Sequence, residues 1–446
     1  MARRFWVAAA VLVTSITLRF DPAATYPPFD DLYHAKRIAY SAAHFPHVLA
    51  FDRDRGLDGA FCPWPPLYDL ACATVSLAGA PLKWLPPIGY SLFAAAVAFA
   101  LGPVAGIGTA VSPYLINVSK TAAIDHHWIE PALLLLILFA TARRRPLLLG
   151  FALTAAMFVQ TAFLIAGAIA FAICFRQRWG WISFAMPAVA IAIYRLAQSP
   201  GYPGSAWFLG WPHAACFAAA AIACAFGLLF GVIVVAPFLP TILHGLSFFG
   251  RDAWLRTIIE FQPMFRDVSR IGTDIANLTG GAILIFAIAR RHPTLAAFGI
   301  PYLLLALTSR RFLVPAIPLL VIAGAIAAAE METKTAAIVA IALTLAPPVA
   351  YDIWRFGHPE PADRSVIAIA NAICPLPPGR VLAPWWMGHA IDVIGRHPVV
   401  MDNFGSMPDA ALFERASAAL RDRDFAWCRA HDIRYVVVDG KIVRLR

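Results

Sequence analysis

Thirteen apolar runs of 12 to 21 residues occupy most of the chain between positions 5 and 350, and only short polar segments interrupt them. A helix rises 1.5 Å per residue, so about 20 such residues match a hydrocarbon core of about 30 Å. The runs lie near 5 to 19, 85 to 101, 104 to 118, 128 to 142, 147 to 160, 162 to 175, 180 to 197, 207 to 223, 225 to 245, 278 to 289, 294 to 308, 312 to 329 and 334 to 350. With 60% hydrophobic and 14% charged residues, and a mean hydropathy of +0.69, too little polar surface exists to coat a water-soluble body of 446 residues. The expected fold is therefore mainly α: a polytopic transmembrane helical bundle of about 13 spans. Neighbouring short runs are also compatible with one bent helix.

Basic clusters mark the cytoplasmic side of a membrane. Arg3 and Arg4, Arg143 to Arg145, Arg176 and Arg178, Arg290 and Arg291, and Lys334 alternate consistently with an inside amino terminus and an outside carboxyl terminus. Residues 1 to 18 are read as an uncleaved first span rather than a secretory signal, because no small-residue cleavage site follows. This parity places Asp21 to Pro66, Asp125 to Glu130 and Arg251 to Asp274 on one outer face. Pro27, Pro28, Pro63, Pro65 and Pro66 punctuate the first of these, residues 30 to 43 read as a short amphipathic helix, and 67 to 77 as an interfacial helix.

From Asp363 the composition turns polar. Residues 379 to 383 and 433 to 438 read as buried strands and 408 to 421 as a helix, so a membrane domain over 1–360 and a small extracytoplasmic α/β domain over 361–446 are expected. The net charge of +10 falls in short clusters without interleaved aromatics, which argues for topology and against nucleic acid. Seven scattered cysteines lack metal spacing and read as small core residues, Cys374 and Cys428 being the one pair sharing a polar region where a disulfide would form.

Acidic groups beside an apolar body are costly unless solvated, paired or bound to a cation, so the outer-face acids are the functional candidates. Asp30 and Asp31 lie in Phe-Asp-Asp-Leu-Tyr-His, Asp125 and His127 in Ile-Asp-His-His-Trp-Ile-Glu, and Glu260 in Thr-Ile-Ile-Glu-Phe-Gln-Pro. Carboxylates with an imidazole suit a divalent ion such as Mn²⁺ or Mg²⁺, which can neutralise a diphosphate leaving group. Taken singly, each motif has an ordinary reading as a solvated loop.

Together, their order and sidedness resemble the catalytic subunit of oligosaccharyltransferase, of the GT-C class of membrane glycosyltransferases, over essentially the whole chain. The first acidic motif is matched by Asp30 with Tyr33 and His34, and the Asp-His-His of archaeal members by Asp125, His126 and His127. The Thr-Ile-x-Glu-x-Gln-Pro motif is matched by Thr257, Ile258, Glu260, Gln262 and Pro263. An Arg-Phe pair is matched by Arg311 and Phe312, and the outer Trp-Trp by Trp385 and Trp386. The resemblance implies that Asp30, Asp125 and His127 hold the metal, with Glu260 touching both metal and acceptor amide. It implies further that Arg311, Thr257, Gln262, Trp385, Trp386 and His34 bind substrate. The implied reaction moves a glycan from a polyprenyl-linked diphosphate to a protein asparagine at the extracytoplasmic face. An amide nitrogen is a poor nucleophile, so two carboxylates at the amide and a cation at the phosphate meet the physical requirement.

The chain departs from the family where Trp-Trp-Asp-Tyr-Gly reads Trp385-Trp386-Met387-Gly388-His389. The family Asp helps select Asn-x-Ser/Thr acceptors, and Asp392 and Asp402 are the nearby carboxylates proposed to stand in for it. His126 is read as a neighbour of the metal ligands or an exposed group, and Trp385 and Trp386 alone read as interfacial packing. Two other readings stay open: a GT-C enzyme using a polyprenyl-phosphate sugar with a lipid or polysaccharide acceptor, and a transporter whose acids line a pathway.

Overall fold

The protein is described by a computed structural model covering residues 1–27, 29–177, 179–246, 254–358, 364–405, 407 and 409–445. Pro28, Arg178, Arg251, Asp363 and Pro408, which figure in the sequence reading, lie outside the described residues.

Several helices begin where the sequence supplies a proline that needs no N–H partner at the first turn, as in Pro103–Val111, Pro113–Ser119, Pro146–Met157 and Pro293–Thr308. The same chemistry divides one expected span. Pro113 holds Ser112 extended, so 104 to 118 becomes two short helices. The run 278 to 289 holds Gly281–Ile288, and the helix before it, Ile271–Leu278, meets it at 40° around Thr279, whose φ is +50°. Pro237 and Pro240 likewise divide 225 to 245 into Leu228–Val235, a tighter turn at Ala236–Phe238, and Leu239–Leu246.

Leu313–Ala329 forms the axis of the bundle and is buried along almost its entire length. Pro103–Val111, Glu130–Ala142, Gly281–Ile288, Pro293–Thr308 and Lys334–Gly357 pack around it. Gly281 permits the closest of these approaches, since a Cβ there would lie 2.2 Å from the Leu320 carbonyl oxygen. The outside of the bundle is apolar: Ile283 is 78% exposed, Phe226 73% and Ile353 69%. Among the described residues three helices are long and apolar enough to cross a membrane, Leu82–Leu101, Arg310–Ala329 and Lys334–Gly357, or four if the bent pair counts as one. The remaining apolar helices are shorter, so length alone does not establish about thirteen spans.

Above one end of the bundle, Asp30–Ala43 and Leu67–Leu77 form a helix pair. The carboxyl-terminal region carries a three-stranded sheet in which Arg380–Leu382 runs parallel to Ile433–Val438, and Lys441–Arg444 closes it antiparallel. That last strand is an addition to the sequence expectation. Arg364–Ile373 and Ala410–Asp422 are its longest helices, the second capped by the Asp409 carboxylate on Leu412 N–H. Val399 bridges both Val381 and Arg55, joining the first polar segment to the sheet region. Cys374 and Cys428 are free thiols, one exposed and one buried.

Candidate active site

The site begins with the first turn of Asp30–Ala43, where helical spacing puts Asp30, Asp31 and His34 on adjoining positions. Asp31 Oδ1 accepts the backbone N–H of Asp125 at 3.0 Å, tying the first polar segment to the second. Asp125 then lies between three imidazoles. Its Oδ1 is 2.7 Å from His126 Nδ1 and 3.3 Å from His34 Nε2, and its Oδ2 is 3.2 Å from His127 Nε2.

The imidazoles are held from behind. His34 stacks on Trp64 at 3.9 Å, and its Nδ1 is 2.6 Å from Asp69, which is itself paired at 2.5 Å with Arg37. His127 Nδ1 is 2.7 Å from Glu130, and the far nitrogen of His126 is 3.0 Å from the Gln160 amide. A carboxylate behind a histidine fixes its tautomer and strengthens the opposite nitrogen as a ligand.

Glu260 arrives from a third, distant segment. Its carboxylate accepts Arg311 at 3.0 Å, and the same guanidinium contacts His127 Nε2, so positive charge links Glu260 to the Asp-His-His turn. Backbone bonds stitch this segment to the start of the axial helix: Ser309 Oγ donates to Glu260 O at 3.1 Å, and Arg310 N–H to Gln262 O at 3.1 Å. Arg310 itself is buried against Asp274 at 2.7 Å.

Exposure grades across the site. His34, His126, His127 and Glu130 are buried, whereas the side chains of Asp125, Asp30 and Glu260 are 16%, 33% and 42% exposed. The histidines form a floor and the carboxylates an open rim. Burial, with Asp125 and Glu260 close by, pushes the Asp30 carboxyl well above its ordinary range. Asp31 rises to about 7 by burial and then by Asp125. Burial alone would lower His34, but Asp69 and Asp125 outweigh it and raise the imidazole to about 9. Asp125 moves the other way, held well below the usual carboxylate range because His127 and His126 overcome the cost of burial.

Two ligand groups fit a cation. One atom each of His34, Asp125 and His126 lie within 4.8 Å of one another, as do those of His126, His127 and Glu130. His126 belongs to both, and its near-complete burial excludes the exposed reading. Neither group contains Asp30 or Glu260, which stand at the rim. Asp30 Oδ1 is buried without a hydrogen-bond partner among the described residues, the state of a carboxylate oxygen suited to a cation or donor. The donor set therefore fits a divalent metal.

The remaining expected residues fall nearby. Thr257 Oγ1 donates to Trp254 O at 2.5 Å and the Gln262 amide to Arg256 O at 2.7 Å, so both shape the Glu260 segment. Trp385 packs against the same apolar cluster as Ile258 and Phe261 of that segment, while Trp386 is 44% exposed. Asp402 is engaged by Arg55 and by Phe404 N–H, and Asp392 by Lys36 at 2.9 Å, so both proposed stand-ins for the family Asp are already paired.

Glu130, Asp69 and Gln160 were not singled out from sequence. Glu130 had a signal, since it lies three residues after His127 and four after His126 at a helix start, on one face. Asp69 had another: it is the one acid in the apolar stretch 67 to 77.

No protein-family model matches the chain, and no curated protein matches it. Its fold is that of solved archaeal oligosaccharyltransferases. The chain is similar to oligosaccharyltransferase AglB from Archaeoglobus fulgidus in complex with an inhibitory peptide and a dolichol-phosphate. That similarity has a TM-score of 0.77 and 15% identity over 98% of this chain and 69% of that one. The apo form of the Archaeoglobus fulgidus oligosaccharyltransferase gives 0.78 and 14%, over 97% and 69%. Its complex with Zn and sulfate gives 0.69 and 15%, over 97% and 68%.

Proposed function

We propose that the protein is a metal-dependent glycosyltransferase of the oligosaccharyltransferase kind, moving a glycan from a polyprenyl-diphosphate donor to a protein asparagine. The observation that carries this is the gathering of His34, Asp125 and His126 from two distant segments at one buried point, with Glu260 of a third tied to His127 through Arg311. The neighbours' bound dolichol-phosphate, peptide, Zn and sulfate support the same reading.

His34, Asp125 and His126 are the inner ligands in this account, and Asp30 closes the site from the rim. Two imidazoles with carboxylates favour Mn²⁺ over Mg²⁺, which prefers oxygen donors and keeps its waters. When bound, the cation neutralises charge that develops on the diphosphate. Arg311 adds a fixed positive charge beside the same phosphates, and Glu260 takes a hydrogen bond from the acceptor amide, weakening its conjugation. Gln160, Glu130, Tyr302 and Arg311 line a small cavity against this floor.

In this reading residues 1–360 form a multi-pass membrane domain of about thirteen spans, with residues 361–446 and the acidic segments extracytoplasmic and the amino terminus cytoplasmic; the apolar exterior and the alternation of basic clusters support it. Met387 at the family Asp position, with Asp392 and Asp402 already paired, favours one second reading: a polyprenyl-phosphate sugar donor with a non-peptide acceptor.

Supplying the detergent-purified chain with Mn²⁺, either class of lipid-linked donor, and an Asn-x-Thr peptide separates the two. Glycopeptide by mass spectrometry from the diphosphate donor is the expected result. Glycan transferred only from the monophosphate donor to a lipid would establish the second reading instead.

A further inference from the structure

The last residue of the Trp-Trp-Met-Gly-His stretch, His389, completes the environment of Asp30. Gly388 packs so closely on the chain at Met401 and Asp402 that a Cβ would meet the Met401 carbonyl oxygen at 2.4 Å, and this approach turns the next residue, His389, inward. Its ring is fully buried, stacked on Tyr33 at 4.7 Å and set edge-on to Phe404 at 4.9 Å. Neither ring nitrogen has a hydrogen-bond partner among the described residues. Nε2 is 3.6 Å from Asp30 Oδ1, and Nδ1 is 3.9 Å from Asp402 Oδ2.

A buried imidazole is neutral and carries one N–H, which must go somewhere. Asp402 does not need it, because Arg55 and the Phe404 N–H at 2.8 Å already serve that carboxylate. Asp30 does, because its Oδ1 is enclosed, unpartnered, and faces the negative charges of Asp125 and Glu260. A side-chain rotation of well under 1 Å brings Nε2 to hydrogen-bond distance from Asp30.

We propose that His389 is a positioning residue which, from the carboxyl-terminal domain, donates Nε2–H to Asp30 Oδ1 and so holds the second Asp30 oxygen toward the cation. This rests on the metal-dependent reading above. It also makes metal affinity depend on how residues 388 to 393 seat against Asp30–Ala43, an arrangement that Lys36 secures through Asp392 at 2.9 Å.

The test is Mn²⁺ binding by the full chain in detergent, followed by loss of the free-ion EPR signal. His389→Phe keeps the ring stack on Tyr33 and removes the donor; it weakens Mn²⁺ by about tenfold to a hundredfold, the usual effect of losing a group behind a ligand. His389→Gln, which restores an N–H near Nε2, recovers most of that affinity. Should the phenylalanine variant not fold, Gln against Met, equal in length but without a donor, gives the same comparison. Wild-type affinity in His389→Phe, or equal weakness in the Gln and donor-free variants, overturns the proposal while leaving the metal reading intact. A wild-type chain that binds no Mn²⁺ overturns both, on a separate arm.

Discussion

Asp30 shows how a residue's role depends on its neighbours more than on its own identity. Alone in a loop it is a solvated carboxylate; beside Asp125 and Glu260, with one oxygen enclosed, it is a group that wants a cation. Asp30→Ala and Glu260→Ala are therefore expected to lower glycan transfer by at least about a hundredfold while the chain still elutes as a folded species in detergent. Transfer at the wild-type rate in either variant contradicts these roles. Asp69→Asn acts one step further back, since Asp69 orients His34 from behind and pairs with Arg37. It should weaken Mn²⁺ by about tenfold or more, measured by metal titration. The segments were legible in the sequence because Asp-His-His and Thr-Ile-x-Glu are contiguous motifs, but the expected ligand set was not, since the groups of ligating atoms take in His34, His126 and Glu130 and neither Asp30 nor Glu260. His389, Asp69 and Gln160 were not legible either, because what recruits them is contact between segments far apart in the chain.

At the scale of elements, apolar runs located the helices of the bundle, but prolines and backbone turns decided where several of them stop. Ser112-Pro113 split one run and Pro237 with Pro240 divided another, and neither break changes the apolar composition on which the reading relied. Small residues then set how near the helices come. Gly281→Val places two methyl groups where Leu320 O already sits, so a destabilisation of about 1 to 3 kcal/mol is expected, read as a lower melting temperature in detergent. An unchanged melting temperature would mean that this helix pair tolerates separation. The link between polar segments has its own fastener in the buried Arg55 to Asp402 pair. Arg55→Met leaves Asp402 charged, buried and without that partner, at a cost of about 3 to 5 kcal/mol. Faster proteolysis of the 364–445 region should report it, and wild-type resistance would contradict it.

Over the whole molecule, the fold makes a rigid apolar body carry polar segments that have no common sequence neighbourhood. The axial helix Leu313–Ala329 fixes Arg311 at its entrance, Arg311 reaches both Glu260 and His127, and the Asp-His-His turn is tied to the first helix through Asp31. The carboxyl-terminal region joins these through the pairing of Asp392 with Lys36 and through the apolar cluster that Trp385 shares with Ile258 and Phe261. Such an assembly has one purpose in this account: to present a cation and a carboxylate to a lipid-linked donor and an incoming amide. The most direct test strips the purified chain with EDTA, supplies polyprenyl-diphosphate glycan and an Asn-x-Thr peptide, and follows glycopeptide by mass spectrometry before and after Mn²⁺ is returned. The account predicts product only after Mn²⁺ and only with Asp30 in place; equal product in EDTA, or from Asp30→Ala, would contradict it.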